Sequence, residues 1–142
     1  MSEYRSGRFE PREVLWLRAE GNADAQRLIT IAALGMCRAL SLGVLSPGYA
    51  CHRLFGPALL ARLDQLDAHP ALRHAIQLAT EFEDVADLIP DKLAKSIAEV
   101  EAELLKALTA LSPAGLVGEK WLVKPRKLND EGTLWSPGLR DN

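Results

Sequence analysis

Residues 22–42, NADAQRLITIAALGMCRALSL, decide the fold. Leu28, Ile29, Ile31, Ala32, Leu34, Met36, Cys37, Ala39, Leu40 and Leu42 leave only Arg27, Thr30, Arg38 and Ser41 as a narrow polar stripe. A helix that is apolar most of the way round belongs inside a bundle or in a membrane. Arg27 and Arg38 decide between the two, because the run between them falls well short of the ~20 residues that cross a bilayer. The stretch is therefore expected to form the enclosed centre of a helical bundle. Asn22 is placed to N-cap it, Asp24 suits the positive end of its dipole, and Gly43 is placed to take the left-handed conformation that ends it. Ala25, Ala32, Ala33, Gly35 and Ala39 carry almost no side chain and predict tight packing against neighbouring helices.

The flanking sequence supplies those neighbours. Residues 1–21 mix charges of both signs with Phe9 and the run Val14-Leu15-Trp16-Leu17, which is expected to dock on the core as a flap or as a short helix through Arg18 with Pro11 at its first position. Downstream, Ser46-Pro47 reads as an N-cap and N1 pair opening a second helix over 47–55. Gly56-Pro57 then breaks the chain before a third helix over 58–66, with Leu59, Leu60, Leu63 and Leu66 on one side and Arg62, Asp64, Gln65 and Asp67 on the other. His69-Pro70 opens a fourth helix, in which Leu72, Ala75, Ile76, Ala79, Phe82, Ala86 and Ile89 step by three and four up to Pro90. From Pro90 a last helix repeats the pattern with Leu93, Ile97, Val100, Leu104, Leu108 and Leu111, and Lys92, Lys95, Glu99, Glu103 and Lys106 form its solvated side. Ser112-Pro113-Ala114-Gly115 stops the periodicity. The expected architecture is all-α: a single-domain bundle of about five helices in residues 1–115. An irregular tail over 116–142, with one short strand or helix near 119–124, lies partly on the core.

At 142 residues the chain is long enough to bury a single core without staples. A 25% charged fraction, 48% apolar content and a net charge of −2 are ordinary for a globular protein and give no general pull toward nucleic acid. The N-terminal MSEYRSGRFEPREVLW has no apolar stretch of the kind that directs secretion, so a cytoplasmic protein is expected. Cys37 and Cys51 then read as two reduced thiols.

Few residues invite chemistry. Cys37, Cys51 and His52 lack the paired short spacings of a zinc site, and neighbours on a helix such as Cys51 and His52 point about a third of a turn apart. His69 reads as a residue near the N-cap of the fourth helix. The basic run Lys120, Trp121, Lys124, Arg126 and Lys127 is short and nearly neutralised by Glu119, Asp130, Glu131 and Asp141. A helix-turn-helix at 43–47 would offer a groove only His52 and Arg53, too few for the usual phosphate contacts. No phosphate loop, nucleophile elbow, HExxH or dinucleotide fingerprint occurs. Neither a metal nor a cofactor is expected. What stands out is Glu81, Glu83, Asp84, Asp87 and Asp91, a one-sided acidic patch without the Glu-x-x-His partner that an inward-facing carboxylate site would show. Such a patch steers association with a basic partner.

Leu34-Gly35, Ala39-Leu40, Gly43-Val44-Leu45-Ser46, Ala50 and Leu54-Phe55-Gly56-Pro57 together resemble the core pattern of a family of short bacterial helical proteins of uncharacterised function. That pattern consists of turn and core positions, so it implies a fold and no active site. By class, small mildly acidic all-helical proteins also resemble the immunity proteins that neutralise bacterial toxins. The expected function is accordingly non-enzymatic: a protein-binding module that covers a basic toxin domain with Glu81, Glu83, Asp84, Asp87 and Asp91. A homodimeric structural or adaptor protein using the 70–111 helical hairpin is the alternative, and an enzyme built on Cys51 and His52 comes third. Neither nucleic acid nor membrane is an expected partner.

Overall fold

The computed structural model describes residues 13–111 and 120–123. The chain divides into two compact units, one spanning 19–118 and one formed by 1–18 together with 119–142. In the latter, β1 (Trp16–Leu17) pairs antiparallel with β2 (Leu122–Val123), setting Trp16 opposite Val123 and Leu17 opposite Leu122. The Arg18 amide donates to the Trp121 carbonyl at 2.7 Å. A helix running through Arg18 is thus not what forms: Trp16 and Leu17 are extended because another apolar, strand-prone run is present to take their backbone hydrogen bonds. Phe9 and Pro11, like the breaker at 112–115 and the tail beyond 123, lie outside the described residues.

The larger unit holds α1 (Asn22–Ser41), α2 (Pro47–Arg53), α3 (Pro57–Gln65), α4 (Pro70–Ala79), α5 (Phe82–Leu88), a 3-10 turn at Pro90–Lys92 and α6 (Leu93–Ala110). Several boundaries are written locally. Gly43 has φ 74°, its amide donates to Leu40 and that of Val44 to Ala39, so α1 ends in a Schellman arrangement. Ser46 Oγ accepts from the Tyr49 amide at 3.1 Å, with Pro47 as the first helical residue of α2. His69 caps α4 through Nδ1, which accepts from the Ala71 amide at 3.0 Å.

Both α4 and α1 pack on α6, whose Ile97, Val100, Leu104 and Ala107 are buried. Opposite them lie Ala33 and Cys37 of α1 and Leu72, Ala75, Ile76 and Ala79 of α4, all fully enclosed. Leu63 closes the core from α3, while Phe55 and Phe82 meet edge to face with centroids 5.8 Å apart. Burial of each large side chain is worth about 1.5–3 kcal/mol, which is what holds these short helices together.

Three features differ from the sequence expectation. The enclosure of α1 is one-sided: Ile31, Ala32, Gly35 and Leu42 are exposed, whereas Thr30, read as part of the polar stripe, is fully buried. Thr30 tolerates burial because its hydroxyl donates to the Gln26 carbonyl at 2.7 Å on its own helix. Asn22 does not cap α1 either. Its side-chain amide donates to the Leu66 carbonyl at 2.5 Å and its side-chain oxygen accepts from Gln26, so it ties α1 to the turn after α3.

The fourth helix is two helices. Thr80 Oγ1 donates to the Gln77 carbonyl at 2.6 Å, and the Glu81 amide bonds three residues back to Leu78 at 3.1 Å, tightening the last turn. Helical bonding resumes with the Val85 amide on the Glu81 carbonyl. The break turns Phe82 toward Phe55 and leaves Ile89, the last residue of the expected apolar face, exposed.

Candidate functional site

The break at Thr80 presents the acidic residues. Glu81 precedes α5, Glu83 and Asp84 lie in its first turn, Asp87 near its end and Asp91 in the 3-10 turn, and all five are exposed. No lysine, arginine or histidine occurs between 81 and 91. Negative charge in a first helical turn also favours the helix itself, so Glu83 and Asp84 help α5 to form. Set among these carboxylates are Leu88 and Ile89, 78% and 49% exposed. An exposed leucine alone is ordinary, but an adjacent apolar pair bordered by like charge has the anatomy of a small contact patch.

The neighbouring helix α2 packs against α5. A Cβ added at Gly48 would stand 3.0 Å from Glu83 Oε2, so the carboxylate lies directly against the first turn of α2. Tyr49 and Arg53, both exposed, stack with the guanidinium 5.2 Å from the ring centroid. Cys51 is half-buried against the end of α4: its Sγ donates to the Ala79 carbonyl at 3.7 Å and lies 4.0 Å from that of Thr80. Burial pushes the Cys51 thiol up, with the negative charges of Glu83 and Asp84 adding to the effect and the Glu83 amide opposing it. His52, next in sequence, is exposed. Cys37 is enclosed by α6 and its neighbours, and burial pushes its thiol up to about 12. Both thiols are free. The Cys37, Cys51 and His52 group is not brought together as a site, and among the described residues no three His, Cys, Asp or Glu side chains are placed to hold a metal ion.

One cluster has no trace in the local sequence pattern. A shallow groove of about 360 Å³ is lined by His69, Pro70, Ala71, His74, Glu103 and Lys106. Glu103 Oε1 lies 3.5 Å from His74 Nδ1 and Oε2 lies 3.2 Å from Lys106 Nζ. These two partners hold the Glu103 carboxyl below its ordinary range, Lys106 first. A carboxylate shared by two donors is a poor base, and the cluster serves as a clasp between α4 and α6. His74 and Glu103 stand 29 residues apart, so only the packing of two helices brings them together. Of the basic run near the C-terminal end, Lys120 is exposed and Trp121 half-buried, while Lys124, Arg126 and Lys127 lie outside the described residues.

Among the described residues no helix is long and apolar enough to cross a membrane. Comparison with curated proteins gave no match, and comparison with solved structures gave none. A family model described as "Protein of unknown function (DUF3969)" matches residues 20–123. That span takes in every helix among the described residues and most of the chain, so the chain belongs to this family.

Proposed function

We propose that this member of the DUF3969 family is a protein-binding module without catalytic activity of its own, which docks a basic partner through the segment 81–91. The observation that carries the reading is the pairing of an exposed apolar couple, Leu88 and Ile89, with five exposed carboxylates on one short segment. The carboxylates supply long-range attraction and orientation, and the apolar couple supplies area to be dried on contact. The most concrete form of the proposal is an immunity protein in the bacterial cytoplasm. It neutralises a basic toxin domain by covering its active site with Glu81, Glu83, Asp84, Asp87 and Asp91.

Association kinetics against a purified partner test it. Replacing Glu81, Glu83, Asp84 and Asp87 with alanine slows the on-rate by about tenfold or more and flattens its dependence on ionic strength, because steering acts through screened charge. Leu88→Asp speeds dissociation. Unchanged kinetics in the quadruple variant remove the acidic segment from the interface.

A further inference from the structure

The outer face of α1 carries Asp24, Leu28, Ile31, Gly35, Arg38 and Leu42, spaced four, three, four, three and four residues apart. This is the seven-residue repeat that keeps one stripe of a helix against a partner helix. The stripe is open toward its C-terminal end, where Ile31 is 46% and Leu42 68% exposed and a Cβ built on Gly35 meets no atom within 4 Å, while Asp24 and Leu28 are half-buried. α6 widens the face. Arg38 reaches Glu101 at 3.5 Å, and Leu105, one turn beyond Glu101, is exposed. Among the described residues no packing uses the missing side chain of Gly35, although glycine weakens a helix interior.

We infer that this face is the two-fold interface of a homodimer, with α1 of one protomer antiparallel to α1 of its partner. Pairing about the midpoint between Ile31 and Gly35 sets each Ile31 over the partner subunit's Gly35, where the absent side chain lets the two backbones approach. Leu28 then packs along the aliphatic stem of the partner subunit's Arg38. The guanidinium at the end of that stem reaches Asp24, one turn further along. In this register Arg38 faces the partner subunit's Leu28, four residues from its Asp24, and the two-fold forms this opposite-charge contact twice. A parallel pairing would set Asp24 on Asp24 and Arg38 on Arg38. Self-complementarity under a two-fold is what selects a second copy of this chain as the occupant. The contacts add to those within the protomer, Asp24 with Arg27 at 3.4 Å and Arg38 with Glu101. The acidic segment 81–91 takes no part.

Sedimentation velocity of the full chain tests the inference. At about 50 µM the wild type sediments as a dimer, since a dimer population follows protomer concentration. Gly35→Leu, whose new side chain has open space in the protomer, keeps the helical circular dichroism and raises the dimer Kd by more than about tenfold. Ile31→Gln does the same and guards against misfolding of the first variant. Asp24→Arg and Arg38→Asp are each monomeric, and mixing them in equal amounts restores a dimer, because only the mixed pair has both charge contacts matched. A wild type that stays monomeric, a dimer that survives Gly35→Leu, or a mixture that remains monomeric overturns the proposal.

Discussion

Gln26 is the polar side chain on which the junction of α1, α3 and α4 depends. It is almost fully buried; its amide donates to Asn22, and its oxygen accepts from the His69 backbone amide at 2.8 Å. Replacing it with leucine leaves the part-buried His69 N–H without that acceptor, at a cost toward the lower end of the ~1–3 kcal/mol of a fully buried donor. Urea denaturation of Gln26→Leu checks this, as a lower midpoint at unchanged slope. The two thiols give a second test at this scale. Cys37 is enclosed with its thiol pushed up to about 12, and burial raises that of Cys51 as well, so the reactive thiolate is disfavoured at both. Titration of the folded protein with a thiol reagent at neutral pH is expected to give slow modification of Cys51 and none of Cys37. Both react at once in denaturant. Rapid native modification of Cys51 would revive a chemical role for it.

Between elements, the charged contacts are surface clasps. Arg73 Nε donates to Asp64 Oδ1 at 2.9 Å, joining α4 to α3, and Glu103 joins α6 to α4 through His74. In the folded chain the Arg73 hydrogen bond lowers the Asp64 carboxyl, and Lys106 and His74 lower that of Glu103. A carboxyl lowered by folding contributes stability above its unfolded pKa and loses it as pH falls through the folded one. Asp64→Asn and Glu103→Gln are therefore expected to lower the urea midpoint slightly at pH 7, and the difference from wild type vanishes under acid conditions where the carboxyls are protonated. Added salt weakens both clasps. The helices themselves were largely legible, because periodicity and Gly, Pro and Ser punctuation act locally: the starts at Ser46-Pro47, Gly56-Pro57 and His69-Pro70, and the stop at Gly43, follow from residues adjacent to them. The division at Thr80 was not legible. It depends on Phe55 drawing Phe82 aside and on the Thr80 hydroxyl bonding Gln77, neither of which appears in a count of apolar spacings. The His74–Glu103–Lys106 groove was invisible for the same reason, while the acidic residues fall within one short segment of sequence and are exposed.

Taken whole, the larger unit hangs on α6, with α1 and α4 packed on it and the short helices α2, α3 and α5 closing the ends. Leu104→Ala removes a fully buried side chain at that hub and is expected to cost about 2–5 kcal/mol, read as a fall in the thermal midpoint. An all-round apolar α1 led the sequence reading to enclosure, yet the fold covers one side of it. Hydrophobic pattern states that a face must be buried without stating that the same chain buries it. The acidic carboxylates themselves are exposed, so neutralising them leaves the buried side chains of the core in place and removes only the first-turn support that Glu83 and Asp84 give α5. One comparison tests the functional claim most directly. Tagged wild type and its Glu81/Glu83/Asp84/Asp87→Ala variant are each used to capture partners from a lysate of the source cells at low ionic strength. The reading predicts a basic protein recovered in stoichiometric amount by the wild type and lost from the variant. Recovery of the same proteins in equal amount by both, or no partner for either, would contradict it.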